Sequence, residues 1–261
     1  MTIRSVSLLL GHRTIPTWFV EAVELMLAET SVSISHVAVR ADTDPLTERR
    51  GLINAARWMI RGDYHYKPVF RDPEPLVQLS EVGSLDEIDE TVYTPVGDGT
   101  RTELPKSLVA TLADDSDVVV QWGSGILTGD ILTKPQYGVW NIHHGDTRKY
   151  RGSAPGFWEF LDGANQTGVT LIQLDESVDG GAVVERRTVE IGDAHSWPEI
   201  QRRLYGASIP LLAAGVERVN SNGGPRQPAV LGDLYTAADV TLPVRARYLL
   251  KASTEFIRRL M

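Results

Sequence analysis

The chain has 261 residues, 42% of them hydrophobic and 23% charged, which is enough apolar material for one large domain with a packed core. Its 26 basic and 34 acidic residues give a formal charge of −8, which disfavours nucleic-acid binding through a broad basic patch. The sequence contains no cysteine, so disulfides, thiolate metal sites and thiol nucleophiles are excluded.

The amino-terminal residues alternate between strand and helix patterns. Residues 5–10 form an apolar run that ends at Gly11, which is typical of a buried strand. Pro16 opens a helical pattern over residues 16–29, and residues 32–39 resemble a second strand. This β-α-β order predicts a parallel sheet with helices on its faces.

The next part of the chain is less regular. We predict a helix over residues 46–60, a break at the proline-rich residues 71–75, a strand over residues 91–96 and a helix near residues 108–113.

The pattern sharpens in the second half. Further strands are predicted over residues 117–122, 137–143, 168–174 and 182–191, and a short helix over residues 155–161. Ser196 and Glu199 have capping-box spacing, so we expect a helix from there to about residue 219, kinked by Pro210.

These elements predict an α/β fold with a mostly parallel, twisted sheet and helices on both faces. Residues 220–225 are rich in Asn, Gly, Ser and Pro and form the clearest linker candidate. We therefore divide the chain into a catalytic domain, residues 1–219, and a short carboxy-terminal appendage, residues 220–261. The appendage is too short for an ordinary independent domain, so we expect it to pack on the body.

No targeting or membrane segment is apparent in the sequence. The apolar run before Gly11 is too short for a signal peptide, and no stretch approaches the roughly 18 apolar residues of a membrane helix. We therefore expect a cytoplasmic protein with no membrane contact.

Three polar residues are the strongest candidates for catalysis. Asn141 and His143 are two apart at the end of a predicted strand, so their side chains share a face, and Asp179 precedes two glycines in a later loop. An amide and a protonated imidazole can stabilise an oxyanion, and a carboxylate can relay a proton, as acyl transfer between amines requires. The pattern alone also fits a capped strand end and an ordinary turn.

Five short motifs, taken with that trio, resemble the signature of the folate-dependent formyltransferases. They are Asn141-Ile-His143, Tyr150-Arg-Gly152, Pro155, Thr167-Gly-Val-Thr170 and Asp179-Gly-Gly181. The family includes methionyl-tRNA, glycinamide ribonucleotide and sugar-nucleotide N-formyltransferases. The resemblance is tightest over residues 117–192, and the elements of residues 1–219 follow the family's order.

The resemblance implies a Rossmann-like sheet, 10-formyltetrahydrofolate as co-substrate without a metal, and Asn141, His143 and Asp179 as catalytic residues. It further implies a pterin pocket lined by the segment 121–127. We assign folate binding to Gln121, Trp122, Gly123, Gly125, Ile126, Leu127 and Val178.

The loop between His143 and Tyr150 departs from the family pattern. Relatives usually carry a Ser-Leu-Leu-Pro-like sequence there, whereas this loop is polar and charged. The loop flanks the acceptor site in the family, so an unusual acceptor is expected, although an exposed polar loop without contacts is the alternative. His144 should face away from His143 and be structural or exposed to solvent. The candidate acceptor-loop residues are Asp146, Arg148, Tyr150, Arg151 and Gly152.

An amino sugar linked to a nucleotide is the acceptor left after elimination. The first turn, residues 11–16, lacks the small residues of a phosphate loop, which disfavours glycinamide ribonucleotide. The short appendage and net charge disfavour tRNA. Aromatic residues that would stack on a base or sugar are Trp58, Tyr64, Tyr66 and Trp158.

Several alternatives remain open. The same trio would serve a hydrolase that releases formate from formyl-tetrahydrofolate, and a methionyl-tRNA formyltransferase-like protein or a non-catalytic folate-binding relative also fits. Ser124 offers a loose match to a hydrolase nucleophile, without the G-x-S-x-G motif. His65 has no partner at metal-ligand spacing. A homodimer is a further expectation.

Overall fold

The computed structural model of the chain describes residues 2–41, 75–96, 101–221, 223–227 and 230–260, with the backbone alone over residues 256–260. Its strands are β1 (Ser5–Leu10), β2 (Thr14–Pro16), β3 (Ser33–Arg40), β4 (Leu76–Gln78), β5 (Glu90–Tyr93), β6 (Arg101–Glu103), β7 (Val118–Trp122), β8 (Ile126–Thr128), β9 (Val139–His143), β10 (Tyr150–Gly152), β11 (Gln166–Gln173), β12 (Ala182–Glu190) and β13 (Asp233–Tyr235). Its α-helices are α1 (Thr17–Glu29), α2 (Lys106–Asp115), α3 (Phe157–Asp162), α4 (Trp197–Ser208), α5 (Leu211–Asn220) and α6 (Leu242–Leu260).

A seven-stranded sheet forms the centre of the described structure, in the order β12-β11-β9-β7-β1-β3-β5. The strands from β9 to β5 are parallel, and β11 runs antiparallel to both β9 and β12. The predicted mostly parallel sheet is therefore confirmed.

Alternate residues of β1 show how helices cover both faces of the sheet. Leu8 and Leu10 pack in a large cluster with residues of α1 and α5, whereas Leu9 packs in a second cluster with residues of α2. Because neither face of β1 meets water, the strand is an unbroken apolar run instead of an alternating one.

Most predicted elements in the described residues lie within two residues of their expected bounds. The strand predicted over residues 91–96 is an exception, since β5 ends at Tyr93. Pro95 follows closely and has no N–H to donate to the sheet. The predicted helix 46–60 lies outside the described residues, as do residues 71–74 of the predicted break. Four side chains discussed above also lie there: Trp58, Tyr64, His65 and Tyr66.

The predicted helix from residue 196 to residue 219 is broken, not kinked. It forms α4 and α5, with Pro210 as the N-cap of α5. Proline lacks the N–H that would continue the hydrogen-bond ladder, and its ring clashes with the preceding turn. Half of the expected capping box is present at α4, because the Ser196 hydroxyl accepts from the Glu199 N–H at 3.3 Å.

The carboxy-terminal residues make close contacts with the rest of the chain. Strand β13 pairs in parallel with β10, which places Tyr235 opposite Gly152. In α6, Tyr248 is buried against Phe157 with ring centroids 5.4 Å apart. The division at residue 219 remains a prediction. None of the helices within the described ranges is both long and apolar enough to cross a membrane.

Two turns at the carboxyl ends of β1 and β7 approach so closely that Gly11 has no room for a side chain. The Gly11 N–H donates to the Trp122 carbonyl at 2.8 Å. A Cβ atom on Gly11 would lie 1.9 Å from the Gly123 carbonyl oxygen. Any larger residue must push the two turns apart.

We therefore predict that Gly11→Ala destabilises the fold by about 1–3 kcal/mol, the usual effect of overpacking. Thermal and urea unfolding would measure the change. Gly206→Ala is the matched control, since Gly206 lies in α4 with nothing within 4 Å of a built Cβ. That control should gain up to about 1 kcal/mol from helix propensity. Equal stability of the two variants would contradict the close approach.

Candidate active site

The structure brings His143 and Asp179 together at the carboxyl end of β9. The buried His143 ring has its Nδ1 atom 3.4 Å from Asp179 Oδ2 and its Nε2 atom 3.3 Å from the Tyr150 carbonyl oxygen. Both ring nitrogens therefore face oxygen atoms, and the ring is held from two sides.

Asp179 is fixed by its backbone as well as by His143. Its φ of 49° is in the left-handed region, which aspartate adopts more readily than most residues. Its Oδ2 atom also accepts a hydrogen bond from the Gly152 N–H at 2.9 Å. One carboxylate oxygen thus connects the loop before β12 to both β9 and β10.

Asn141 lies beside this pair on β9. Its Oδ1 atom accepts from Gln121 Nε2 at 2.8 Å, because β7 and β9 are neighbouring parallel strands. The Gln121 Oε1 atom in turn accepts from the Ser124 N–H at 3.3 Å. The carboxamide oxygen of Asn141 is thereby engaged, and its NH₂ group is the end that can donate to a developing oxyanion.

The segment 121–127 combines buried anchors with partly exposed groups. Gln121 and Leu127 are buried, while Ile126 is exposed and Trp122 half-buried. Gly123 and Gly125 have φ values of 70° and 81°, which only glycine adopts freely. The segment therefore offers backbone groups and apolar surface.

Ser124 is a poor nucleophile in this arrangement. Its hydroxyl is fully buried and donates to the Leu9 carbonyl at 3.0 Å. A nucleophilic serine needs its oxygen exposed to substrate and bonded to a base. The geometry argues against a serine hydrolase.

The loop between His143 and Tyr150 is only partly exposed, unlike the open polar loop considered above. Asp146 is buried and accepts from Arg148 Nε and Nη2 at 2.8 and 2.6 Å, and Arg186 lies 3.9 Å away. Burial opposes the charge, but the Arg148 hydrogen bonds hold the pKa of Asp146 below its usual value. Asp146 therefore anchors the loop, and Arg148 remains exposed at its edge. His144 packs edge-on against both Trp18 and Tyr205, which stack on each other, at 4.8 and 4.9 Å between ring centroids.

Arg151 and Gly152 connect the site to the carboxy-terminal residues. Arg151 donates from Nε to the Gly232 carbonyl at 2.9 Å and from Nη1 to the Val178 carbonyl at 3.2 Å. A Cβ atom on Gly152 would lie 2.0 Å from the Tyr235 carbonyl oxygen. These contacts fix the loop that carries Asp179.

Tyr150 is held at its phenol end. Its hydroxyl donates to Asp162 Oδ2 at 3.1 Å. Burial first, and then the adjacent Asp162 carboxylate, raise the pKa of Tyr150. The phenol therefore stays protonated and acts as a hydrogen-bond donor.

Sequence reasoning missed a buried carboxyl group beside the trio. Glu159 on α3 is almost fully buried, and together with His143, Ser153 and Trp158 it lines a small cavity of about 10 Å³. Thr167 Oγ1 donates to Glu159 Oε1 at 2.8 Å. Burial raises the pKa of Glu159 above the ordinary 4.5. The available signal was one glutamate inside an apolar run, residues 157–161.

Histidine and carboxylate side chains do not form a three-member metal-binding cluster anywhere in the described part of the chain. The polar groups at the end of β9 are instead an amide, an imidazole and carboxyls that contact one another and the backbone. This arrangement suits proton transfer and oxyanion stabilisation.

Comparison with known proteins gives one family match. Residues 85–214 match the family model described as formyl transferase. A methionyl-tRNA formyltransferase of Prochlorococcus marinus is 33% identical over 145 residues, covering 56% of this chain and 41% of that protein. A methionyl-tRNA formyltransferase of Anaeromyxobacter dehalogenans is 39% identical over 93 residues, covering 36% of this chain and 30% of that protein. The chain thus matches about two fifths or less of the length of these relatives.

Solved structures resemble the fold over nearly the whole chain. An N-formyltransferase of Helicobacter canadensis, in complex with folinic acid and dTDP-3-aminofucose, has a TM-score of 0.58 at 12% identity, covering 91% of this chain and 72% of that one. A phosphoribosylglycinamide formyltransferase of Anaplasma phagocytophilum has a TM-score of 0.57 at 14% identity, covering 90% and 99%. At these identities the likeness concerns the fold.

Glu159 gives a pH-dependent prediction. Because its pKa is higher in the folded chain than in the unfolded one, the folded state binds more protons above about pH 4.5, and stability falls as pH rises towards the folded pKa. Glutamine does not titrate, so Glu159→Gln should gain stability relative to wild type over that range. Urea unfolding at a series of pH values would measure the difference.

The matched control is Glu24→Gln, which removes an exposed carboxyl on α1. It reports the effect of losing one surface charge. If the stability difference between Glu159→Gln and wild type stays constant with pH, the buried carboxyl does not titrate as described.

Proposed function

We propose that this chain, which belongs to the folate-dependent formyltransferase family, transfers a formyl group from 10-formyltetrahydrofolate to an amine. The observation that carries the proposal is the 3.4 Å approach of His143 and Asp179, beside Asn141 at the end of β9. All three residues fall within the matched residues 85–214.

The chemistry needs no side-chain nucleophile, because the acceptor amine attacks the formyl carbon itself. The NH₂ group of Asn141 would donate to the developing oxyanion, together with a protonated His143. Nδ1 of His143 faces Asp179. The Nε2–H group, which faces the Tyr150 carbonyl, would therefore be the one that donates a hydrogen bond to the substrate oxygen. Asp179 would orient the ring and accept the proton that the amine releases. The bond between the formyl carbon and the folate nitrogen would then break, with a proton from His143 allowing that nitrogen to leave as a neutral amine.

The segment 121–127 and Val178 are proposed to hold the folate. The fit is supported by the exposed backbone at Gly123 and Gly125 and by the exposed side chain of Ile126. A pterin ring needs both backbone hydrogen bonds and apolar surface. The co-substrate supplies the activated formyl group, and these residues would orient it towards Asn141.

The acceptor is proposed to be a small molecule, with an amino sugar nucleotide as the leading class. The cavity next to His143 has a volume of only about 10 Å³, room for one water-sized group, so the body of the acceptor would lie outside it with its amine directed towards His143. The complex of the H. canadensis relative with dTDP-3-aminofucose supports the same class.

Calorimetric titration with 5-formyltetrahydrofolate tests the donor site. Micromolar binding by folded protein is expected, and no binding would overturn the proposal. Mass spectrometry of dTDP-3-aminofucose, glycinamide ribonucleotide and methionyl-tRNA, each incubated with protein and 10-formyltetrahydrofolate, then tests the acceptor. Formylation of tRNA alone would replace the acceptor class. Formate release without an amine would indicate a hydrolase.

His143→Ala is expected to lower turnover by about 10²-fold or more, because it removes an acid–base group. Folding should change little, as judged by thermal unfolding. His195→Ala is the matched control, since His195 is half-buried and lies outside the trio. Turnover of His143→Ala near the wild-type value would rule out the proposed role.

A further inference from the structure

We propose that Glu159 returns a proton to His143 after each turnover, through one water molecule in the cavity that both residues line. Glu159 would act through the histidine and would not touch the substrate. The inference rests on the proposed formyl transfer, in which His143 gives a proton to the departing folate nitrogen. It assigns a role to a buried carboxyl group that this reaction otherwise leaves unused.

The need for a second proton source follows from the contacts of the His143 ring. Its Nδ1 atom lies 3.4 Å from Asp179 Oδ2, and its Nε2 atom lies 3.3 Å from the Tyr150 carbonyl oxygen. When Nε2 gives up its proton, the ring keeps the hydrogen on Nδ1. Asp179, which has taken the proton of the amine, then faces a nitrogen that is already protonated. The proton for Nε2 therefore has to come from another group.

The small cavity lies on the Nε2 side of the ring. Gly145 and Tyr150 both line it, together with Glu159. A Cβ atom on Gly145 would lie 2.6 Å from His143 Nε2, so this nitrogen is close to the cavity wall. The volume of about 10 Å³ is room for one water molecule. A single water there would be near both the nitrogen that needs a proton and the residue proposed to supply it.

Two further residues of the cavity wall offer hydrogen bonds to such a water. Neither Trp158 Nε1 nor the buried Ser153 Oγ atom has a partner among the described residues, and both residues line the cavity. Buried waters usually make about three hydrogen bonds to protein groups. This water would accept from the indole N–H and from a protonated Glu159, and it would donate to Nε2 and to the serine hydroxyl.

Glu159 is placed in surroundings that favour its protonated form. It is almost fully buried, and Thr167 Oγ1 donates to its Oε1 atom at 2.8 Å. Burial is the main cause of the raised pKa of Glu159, and Asp162 adds to it, whereas hydrogen bonds from its own N–H and from Thr167 oppose it, as does His143. The carboxyl group therefore keeps its proton at a pH where an exposed glutamate has lost it.

A second cavity gives Glu159 a source of protons. This cavity has a volume of about 290 Å³, and its lining includes Glu159 together with the exposed residues Gly163 and Asp193. It is therefore open to solvent. The other ionisable residues that line it are His195, Lys251 and Glu255. Glu159 thus lies between the water-sized cavity at His143 and a larger one that solvent can enter.

The proposed transfer balances. The O–H bond of Glu159 breaks as an O–H bond forms on the water, and another O–H bond of the water breaks as an N–H bond forms at Nε2. The Glu159 carboxylate then takes a proton from solvent in the second cavity, and Asp179 releases the proton of the amine to solvent. Before that step the carboxylate faces an imidazolium, and the opposite charges stabilise each other.

Rapid-mixing kinetics of Glu159→Gln test the inference. The probe is the acceptor that the wild type formylates fastest in the panel above, with excess 10-formyltetrahydrofolate. Glutamine keeps the size of the side chain and an oxygen for Thr167 but has no acidic proton. Equilibration in buffer before mixing lets His143 gain its proton slowly from solvent. We expect a first turnover at the wild-type rate and later turnovers about 10-fold slower, the lower end of the effect of an acid–base group.

Trp158→Phe is the second variant, because it keeps an aromatic ring against Tyr235 and loses the N–H that would hold the water. The same pattern is expected at a smaller size, with later turnovers about 3-fold slower, the effect of one uncharged hydrogen bond. Glu24→Gln is the surface control for both variants and should match wild type in both phases. If Glu159→Gln fails to fold, the Trp158→Phe result decides.

Infrared difference spectra give a measurement that needs no substrate. Wild type minus Glu159→Gln should show the carbonyl band of a protonated carboxyl group, and this band should persist above the pH at which exposed glutamates ionise. A band that disappears together with those of exposed glutamates would overturn the inference.

The kinetic outcomes separate the relay from the transferase function. First and later turnovers of Glu159→Gln that slow by the same factor would assign Glu159 to structure alone and overturn the relay. Later turnovers within twofold of wild type would also overturn it, and in both cases formyl transfer would stand. A folded wild type that binds folate but formylates no amine would overturn the proposed function and the relay with it.

Discussion

The arrangement at the end of β9 depends on one carboxylate oxygen. Asp179 Oδ2 accepts from the Gly152 N–H and lies 3.4 Å from His143 Nδ1, so it joins three parts of the chain that are distant in sequence. Asp179 holds this position with a left-handed backbone, and Gly152 has no room for a side chain because Tyr235 approaches it from the carboxy-terminal residues. The first condition is local and the second is tertiary, and together they orient the histidine before any substrate binds.

The two carboxyl groups near His143 have different surroundings. Asp179 faces an imidazole and a backbone N–H, whereas Glu159 on α3 is almost fully buried and accepts a hydrogen bond from the neutral Thr167 hydroxyl. Environments that differ in this way allow carboxyl groups of similar intrinsic acidity to take different tasks. In the proposed reaction, Asp179 orients the histidine that acts as the acid.

The elements that were predictable depend on local periodicity. The apolar run of β1, the start of α1 after Pro16 and the same-face placement of Asn141 and His143 all follow from spacing along a few residues. Glu159 was not predictable, because its burial is decided by packing of α3 against distant segments. The same limit applies to Pro210, where sequence suggested a bend and the hydrogen-bond ladder instead ends.

The pairing of β13 with β10 has a consequence for how this molecule can vary. Tyr235 stacks on Trp158, and Gly232 receives the Arg151 guanidinium that also holds the loop of Asp179. The carboxy-terminal residues are thus part of the frame around the reacting groups. Replacing this segment with the corresponding segment of a relative would therefore disturb the active site. A substitution in the segment would need a matching substitution in the loop before α3.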